Sequence, residues 1–201
     1  MKIIGVTGTF ASGKSTVTRA FCELGAYVVD HDRINHDILM KGRTGYNALL
    51  EEYGAIILDD DGALDRAKVA EIVFTSEAAV KRVESILHPL ILDDELKIIE
   101  EYKAENKYDY IIVDSPLLFE AGRDSMCDYT VSVTADEDAL IERACQKFGF
   151  DEDEVKRRVS LQMSLKEKSE RADFVIENNS TIFDLYDKAK DLFTKIKTLH
   201  E

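Results

Sequence analysis

Long apolar runs are missing from this sequence of 201 residues. A membrane-spanning helix needs roughly 18 or more consecutive apolar residues, and no window approaches that length. The apolar run at the amino end is also too short for a signal peptide, and no small-residue cleavage site follows it. We therefore expect a soluble, cytoplasmic protein without a membrane partner.

Basic residues, cysteine and proline are also scarce. The 26 Lys and Arg residues are outnumbered by 40 Asp and Glu residues, which gives a net charge of −14. A nucleic-acid binder needs a basic face to neutralise phosphates, so this balance predicts no nucleic-acid partner. The cysteines, Cys22, Cys127 and Cys145, are odd in number and follow no metal-ligand spacing. They predict free, buried thiols in a reducing compartment.

Short runs rich in β-branched residues alternate with segments of helical period. The runs cover residues 3–6, 27–29, 110–113, 129–133 and 174–176. One apolar helical stripe is formed by Val17, Ala20, Phe21 and Leu24, and another by Ile182, Leu185, Tyr186, Ala189, Leu192, Phe193 and Ile196. This alternation predicts a parallel sheet with helices on both faces. The long, mostly helical stretch between the second and third runs predicts a helical insertion.

The first predicted strand runs directly into a glycine-rich loop. Residues 8–16 read Gly-Thr-Phe-Ala-Ser-Gly-Lys-Ser-Thr, which matches the phosphate-loop pattern G-x-x-x-x-G-K-[ST]. Between a strand and a helix, such a loop holds phosphates on backbone N–H groups and on the helix amino terminus. Lys14 then reaches the β- and γ-phosphates, and Ser15 places its hydroxyl on Mg²⁺. The pattern predicts a bound nucleotide with Mg²⁺; a plain glycine turn is the alternative.

Carboxylates follow two of the predicted strands. Asp30 and Asp32 come directly after the second strand, at the edge where α/β folds place their sites. Asp32 is our candidate general base for an acceptor hydroxyl, whereas Asp30 is predicted to cap the next helix. Asp114 ends the third strand and is the candidate ligand of Mg²⁺ through water. The base and metal roles of Asp32 and Asp114 are interchangeable on this evidence.

Basic charge is concentrated between residues 143 and 171, where eight Lys or Arg residues accompany six Asp or Glu residues. Arg143 and Lys147 stand four apart on a predicted helix and so share one side of it. This pattern favours a lid that closes over phosphates and excludes water. A solvated helix face balanced by neighbouring acids is the alternative.

Among phosphate-loop proteins, the chain length favours a small-molecule kinase over a motor or transporter ATPase. A GTPase is disfavoured, because no predicted strand is followed by the guanine-specifying Asn-Lys-x-Asp stretch. Two alternatives stay open: a nucleoside or nucleotide kinase on the same core, and a regulatory module that hydrolyses ATP slowly without an acceptor. The phosphate loop does not separate them, because it defines only the donor side.

Taken together, these residues resemble the dephospho-coenzyme A kinase family over nearly the full chain. Besides residues 8–16 and Asp30-x-Asp32, the resemblance includes Asp61-Gly62-x-Leu64-Asp65-Arg66, Phe74, Leu87-His88-Pro89-Leu90, Asp114-x-Pro116-Leu117-Leu118-Phe119-Glu120, Gln162-Met163 and Arg171-Ala172-Asp173-x-Val175-Ile176-x-Asn178. The motifs occur in the family's order and at similar spacing.

The resemblance implies transfer of the ATP γ-phosphoryl group to the 3′-hydroxyl of the dephospho-coenzyme A ribose, which gives coenzyme A and ADP. It implies a P-loop NTPase fold of three α/β/α layers, with a five-stranded parallel sheet of order 2-3-1-4-5. It divides this single kinase domain into a core (residues 1–31, 108–142 and 172–201), an acceptor-binding helical insertion (32–107) and a lid (143–171). Beyond ATP and dephospho-coenzyme A we expect no obligatory partner, only a monomer or weak homo-oligomer.

The resemblance also implies the site residues. Asp32 is the base, while Lys14 and Arg143 offset charge on the transferred group. ATP is bound by Gly8, Ala11, Ser12, Gly13, Lys14, Ser15, Thr16 and Asn178. The acceptor is bound by His88, Pro89, Leu117, Leu118, Phe119 and Glu120. Ser15 and, through water, Asp114 hold the metal. From the residues alone, His88 is a helix-end residue, and Leu117, Leu118 and Phe119 belong to the core.

Some positions depart from the family's usual pattern. Thr9 and Ala11 replace common glycines, and His31 replaces a small residue. Alanine suits the tight loop if its φ angle is negative. Lys147 stands where arginine is typical, and lysine lacks the planar fork of the guanidinium group.

Overall fold

Five strands form one sheet within the residues that the computed structural model describes, which are 1–73, 75–160 and 162–199. The strands are β1 (Lys2–Thr7), β2 (Tyr27–Asp30), β3 (Tyr110–Asp114), β4 (Tyr129–Thr134) and β5 (Phe174–Glu177). Their order is β2-β3-β1-β4-β5, and the pairings of β1 with β3, β1 with β4 and β4 with β5 are parallel. The predicted strands and the predicted sheet order are confirmed. Phe74, which is part of the family resemblance, lies outside the described residues.

The helices of the described residues pack around this sheet or follow β2. They are α1 (Lys14–Glu23), α2 (His31–Ile38), α3 (Thr44–Tyr53), α4 (Arg66–Val73), α5 (Glu77–Glu105), α6 (Glu137–Phe148), α7 (Glu152–Ser160), α8 (Leu165–Arg171) and α9 (Ile182–Thr198). Short 3-10 helices cover Gly54–Ile57 and Arg123–Met126. None of the helices in the described ranges is long and apolar enough to cross a membrane.

The chain divides into two compact units. The first contains Met1–Val29 and Tyr102–Glu201, and the second contains Asp30–Glu101. In the first unit, buried strand residues such as Ile4, Ile112 and Val131 pack with one face of α1 and α9. The predicted stripes of these helices form that core, except that Ile182, at the start of α9, is exposed.

The second unit is held by apolar contacts and by polar ties to a turn at residues 59–65. Its buried residues include Ile38, Leu49 and Leu87. Tyr46 donates a hydrogen bond to the Gly62 carbonyl at 2.7 Å. Lys41 donates to the Asp61 carbonyl at 2.7 Å, and Lys68, on α4, donates to the Leu58 carbonyl just before the turn at 2.6 Å. The turn is therefore fixed to the helices on either side of it. Elsewhere in the unit, Arg82 and Glu52 form a two-bonded ion pair.

Pro89 lies inside α5, so the interpretation of His88 as a helix-end residue is wrong. Proline removes one helical hydrogen bond and crowds the carbonyl four residues earlier, which costs about 3 kcal/mol in a helix interior. Val83, Leu87, Ile91 and Ile99 are buried along the helix on both sides of Pro89. Packing of this apolar stripe maintains the helix where local propensity would end it.

The three cysteines are free but differ in burial. Cys22 is exposed, so its predicted burial is wrong; it lies on α1 beside Phe21, which faces the core. Cys127 packs against Gly5, where an added Cβ would approach its Sγ to 2.8 Å. Burial, aided by the negative charge of Asp124, raises the pKa of the Cys127 thiol to about 12.

These environments predict selective thiol labelling. At pH 8 a thiol reagent should modify Cys22 first, whereas Cys127 should stay unmodified in the folded protein because it has almost no thiolate. Quantitative labelling followed by peptide mass mapping measures this order. The matched variant Cys22→Ser should lose the fast phase, and rapid labelling of Cys127 in the native protein would contradict its described burial.

Candidate active site

The phosphate loop ends at an open helix amino terminus. Gly13 is the N-cap of α1, with a φ angle of 102°. Within the described ranges, no side chain caps this terminus and no acidic residue lies in its first turn. The first N–H groups of a helix carry partial positive charge and need acceptors from outside the helix. This end of α1 is therefore suited to an anion.

The two motif glycines keep space free around the loop. A Cβ on Gly8 would lie 2.4 Å from the Val133 carbonyl oxygen, and one on Gly13 would lie 2.6 Å from Nδ2 of Asn178. Both distances are shorter than real contacts, so any side chain would force the loop apart. The hydroxyl groups of Thr9 and Ser12 are buried and lack a hydrogen-bond partner among the described residues. Such groups are ready to bond a ligand inside the loop.

Ala11 adopts a left-handed backbone with a φ angle of 62°. The condition under which alanine suits the tight loop, a negative φ angle, is therefore not met. The loop geometry is that of a glycine, and alanine occupies it at a cost of about 1–2 kcal/mol. The loop thus stores local strain beside the predicted phosphate position.

Lys14 and Asp114 are brought together at the end of the sheet. The register of β1 and β3 pairs Val6 with Asp114, and Nζ of Lys14 lies 3.7 Å from Oδ1 of Asp114. Both side chains keep some exposure, 18% and 16% respectively. Ser15 follows at the start of α1 and is exposed. A hydroxyl and a carboxylate that remain accessible beside an anion site fit Mg²⁺, which keeps several waters and binds few protein groups.

Asn178 joins the end of β5 to the phosphate loop. Its side-chain Nδ2 donates to the Ser12 carbonyl at 2.9 Å, and its own carbonyl accepts from Nη2 of Arg143 at 2.8 Å. The remaining nitrogen of that guanidinium fork, Nη1, is buried without a hydrogen-bond partner in the described residues. The structure therefore brings Arg143, Asn178 and the loop together, and it leaves Arg143 one donor for a ligand.

The other basic residues of 143–171 are mostly balanced locally. Lys147 is exposed, with its ammonium 5.1 Å from the ring centroid of Phe148. On α7, Arg157 and Arg158 both bond Glu154, whose pKa they lower to about 2. The alternative of a solvated, self-neutralised face therefore describes α7. The phosphate loop meets this segment at Phe10, which contacts the ring of Phe148 at 4.6 Å.

The second unit contains Asp30 and Asp32. The Asp30 carboxylate accepts from the backbone N–H groups of Asp32 and Arg33 at 2.9 and 3.2 Å, so the predicted cap is confirmed. Asp32 lies in the first turn of α2, and its carboxylate has no hydrogen bond or ion pair with the described residues. His31 precedes it, with Nδ1 3.6 Å from the buried carboxylate of Glu95. Capping thus occupies the carboxylate of Asp30, whereas Asp32 is exposed.

A cavity of about 840 Å³ opens beside Asp32 within the second unit. Its walls are mainly apolar, and polar groups form the smaller part of the lining. The lining includes Asn35, His36, Leu39, Met40, Lys41, Leu49, Ala63, Leu64, Arg66, Val69, Ala70, Val73, Val83 and Leu87. Arg66 contacts Nδ1 of His36 at 2.9 Å. An apolar cavity of this size with convergent polar groups is typical of a small-molecule site.

The residues predicted to bind the acceptor do not line this cavity. His88 and Pro89 are exposed on α5, next to the lining residue Leu87. Leu118 is fully buried, and Phe119 lies beneath the guanidinium of Arg171 at 4.6 Å. Leu117 is partly buried, and Glu120 accepts bonds from Lys168 at 2.9 Å and from the Met163 N–H at 2.8 Å. Their roles toward the acceptor stay predictions.

Sequence reasoning named four of the lining residues, Asp32, Leu64, Arg66 and Leu87, but it did not predict the cavity, and it missed Lys168. The cavity lining is contributed by four helices and a turn, so no local spacing marks it. Lys168 sits in a charged stretch that reads as solvated helix, yet its side chain is fully buried. No sequence signal distinguishes it from Lys166, which is 84% exposed on the same helix.

Residues 106–109 spell Asn-Lys-Tyr-Asp, the letters of the guanine-specifying pattern. They precede β3 instead of following a strand, and the ammonium of Lys107 lies 5.5 Å from the Tyr108 ring centroid. The amino end of a parallel strand lies at the sheet edge opposite to the phosphate loop. The stretch therefore does not support a GTPase.

Comparisons with known proteins agree on one family. The family model described as Dephospho-CoA kinase matches residues 2–184. A Dephospho-CoA kinase of Carboxydothermus hydrogenoformans is 41% identical over 90% of this chain and 88% of its own length. A crystal structure from Thermus thermophilus has a TM-score of 0.79, with 28% identity and coverage of 96% and 97% of the two chains. A Dephospho-CoA kinase structure from Campylobacter jejuni has a TM-score of 0.73, with 26% identity and coverage of 99% and 98%.

The strained alanine of the loop generates a prediction. Ala11→Gly should raise the free energy of unfolding by about 0.5–1 kcal/mol, because relief of the left-handed strain exceeds the extra chain entropy of glycine. Chemical denaturation of the nucleotide-free protein measures this change. The matched variant Ala67→Gly, on the exposed face of α4, should lower the same quantity by up to about 1 kcal/mol. Destabilisation by both variants would contradict strain at Ala11.

Proposed function

This chain belongs to the dephospho-coenzyme A kinase family, and we propose that it transfers the γ-phosphoryl group of ATP to the 3′-hydroxyl of dephospho-coenzyme A. The main support for ATP as the phosphoryl donor is the pair formed by Lys14 and Asp114. Their side chains lie 3.7 Å apart beside an uncapped helix terminus. A cation for phosphate, a carboxylate for metal and free N–H groups then converge at one sheet edge. Phosphoryl transfer needs these groups, because it is catalysed mainly by positioning of the reactants and by stabilisation of charge.

Mg²⁺ belongs to the proposal as the resident cation of the site. Ser15 and, through water, Asp114 are the groups that would hold it. When bound, Mg²⁺ neutralises charge on the β- and γ-phosphate oxygens. Lys14 is already drawn toward Asp114, so its ammonium is held where it meets the phosphate end of the nucleotide.

Arg143 is proposed to offset charge on the transferred group. Its bond to the Asn178 carbonyl fixes one side of the guanidinium, and its buried Nη1 is left to donate. Because Asn178 also holds the Ser12 carbonyl, Arg143 and the loop are oriented by a single residue. Because the positive charge of Arg143 is already in position, no protein group has to rearrange during the reaction. Lys147, exposed beside Phe148, is given no role.

Asp32 is proposed to accept the proton of the acceptor hydroxyl. Two features support it: its carboxylate is unbonded among the described side chains, and it is one of the residues that line the cavity of the second unit. We assign this cavity to the acceptor. Its apolar walls suit the adenine and pantetheine parts of dephospho-coenzyme A, and Lys41 and Arg66 supply cations for an anionic group.

The remaining finer assignments stay proposals. We propose that His88, Pro89 and the segment Leu117–Glu120 contribute at the edge of the acceptor site, and that residues 143–171 act as a lid. We also propose a cytoplasmic location, which the three free cysteines support.

The defining experiment follows ATP consumption with Mg²⁺, with and without dephospho-coenzyme A, and identifies the products by mass. Coenzyme A should appear in step with ADP. Phosphorylation of nucleosides with unchanged dephospho-coenzyme A would instead favour the nucleoside kinase. Slow ADP release without any acceptor would favour the regulatory module.

The neighbouring aspartates provide a matched test of the base. Asp32→Asn should lower kcat by about 100-fold or more, since general-base catalysis contributes that much, and should leave ATP binding and the melting temperature nearly unchanged. Asp30→Ala should instead cost about 1 kcal/mol of stability through loss of the cap, with a much smaller effect on kcat. Steady-state kinetics and thermal unfolding separate the two. Full transfer activity in Asp32→Asn would remove this residue from its role.

If the cavity binds the acceptor, a substitution in its wall should change the KM for dephospho-coenzyme A and not the KM for ATP. Ala70→Leu adds three carbons to the cavity wall and should cost about 1–3 kcal/mol of acceptor binding, which is about a 5- to 150-fold rise in KM for dephospho-coenzyme A. The KM for ATP should not change. Ala104→Leu, on the exposed end of α5, is the control. An unchanged acceptor KM in folded Ala70→Leu would place the acceptor elsewhere.

A further inference from the structure

Lys168 is a fully buried lysine in α8. Lysine is almost never fully buried without partners, because removing an ammonium group from water is costly. Its Nζ donates to the Pro116 carbonyl and lies 2.9 Å from Oε1 of Glu120. Both partners belong to the segment that follows β3, so α8 is joined to that segment by a buried charge.

The Pro116 carbonyl is an unusual point of attachment. It also accepts from the Thr7 hydroxyl at 3.3 Å, and Thr7 is the last residue before the phosphate loop. One residue earlier, the Ser115 N–H donates to the Val6 carbonyl at 3.1 Å. Pro116 lies beyond the last residue of β3, and it has no N–H group to donate. The Pro116 carbonyl, which accepts hydrogen bonds from Thr7 and Lys168, therefore joins the segment after β3 to β1 and to α8 beyond the end of β3.

Glu120 compensates the charge of Lys168. Its Oε1 also accepts from the Met163 N–H at 2.8 Å, so the carboxylate is bonded on both sides. Burial lowers the pKa of Lys168, the Glu120 carboxylate opposes that shift, and the charge of Lys14 adds to it. The buried ammonium therefore lies within electrostatic reach of the loop lysine.

We propose that Lys168 is a positioning residue for the transfer reaction: by holding the Pro116 carbonyl and the Glu120 carboxylate, it fixes the segment 114–120 so that Asp114 faces Lys14. Asp114 is only two residues from Pro116, and it lies level with Val6 at the point where the ladder ends. Without Lys168, this segment keeps its strand pairing but loses its attachment to α8. The proposal rests on the proposed function, because Asp114 acts there on Mg²⁺.

The test is a double-mutant cycle between Lys168→Met and Asp114→Asn. Methionine keeps the length of the lysine stem and removes the ammonium. Lys168→Met should lower kcat by about 10- to 100-fold, the usual cost of losing a residue that orients a metal-binding group. In the Asp114→Asn background, the same change should lower kcat by less than about threefold, because coupled residues are not additive. Equal losses in both backgrounds would overturn the proposal.

A binding measurement separates positioning from direct contact. Calorimetry of ATP binding in EDTA should give a Kd within about threefold of the unsubstituted protein, since the loop backbone is intact in Lys168→Met. The tightening of ATP binding by Mg²⁺ should shrink in the variant. A large loss of metal-free ATP binding would show that Lys168 contacts the nucleotide itself, which would overturn the positioning role.

Controls keep the outcomes distinguishable. Lys195→Met, on the exposed face of α9 and outside the proposed lid, should leave kcat unchanged, and a loss equal to that of Lys168→Met would contradict the inference. If Lys168→Met fails to fold because Glu120 is left unpaired, Lys168→Met with Glu120→Gln removes both charges and serves in the same cycle. An unsubstituted protein that does not phosphorylate dephospho-coenzyme A rejects the proposed function. An active protein with additive losses rejects only the role of Lys168.

Discussion

The parallel register of β1 and β3 is the constraint on which the donor site depends. It sets Asp114 level with Val6, so the carboxylate emerges where the chain leaves β1 for the phosphate loop. The next residues, Thr7 and Ser115, continue the contact by hydrogen bonds beyond the strand ends. Because side chains alternate along a strand, a slip of one residue would turn Asp114 to the other face of the sheet and separate it from Lys14. Fine placement of the site therefore originates in backbone pairing.

Much of this arrangement follows from the sequence. The runs ending at Val6 and Val113 are short, β-branched and bounded by glycine or aspartate, so strand type and sheet edge were predictable. Gly8, Gly13 and Lys14 carry a pattern whose physical requirements are local. The cap at Asp30 was predictable for the same reason, since capping joins residues two or three apart. Local interactions leave local signatures, and these are the features that the structure confirms.

The features that sequence reasoning did not predict depend on contacts between distant segments. Ala11 adopts a positive φ angle within the phosphate loop, although alanine itself disfavours that angle. Pro89 stays inside α5 because buried residues on both sides fix the helix. Lys168 differs from Lys166 only in which side of α8 meets the segment after β3. In each case the tertiary structure overrides the local preference of the residue, and tertiary contacts cannot be read from a single sequence.

The protein has a net charge of −14, yet it still presents cations to a polyanion. This is because its basic residues are not all neutralised by acidic residues to the same extent. On α7 the basic residues form ion pairs with neighbouring acids, as at Glu154. Around the loop, Lys14 faces one carboxylate, and Arg143 is held by a neutral carbonyl with a donor left over. Neutral acceptors orient a cation without consuming its charge. The Asn178 carbonyl plays this part for Arg143, so the positive potential at the phosphate end survives in an acidic chain.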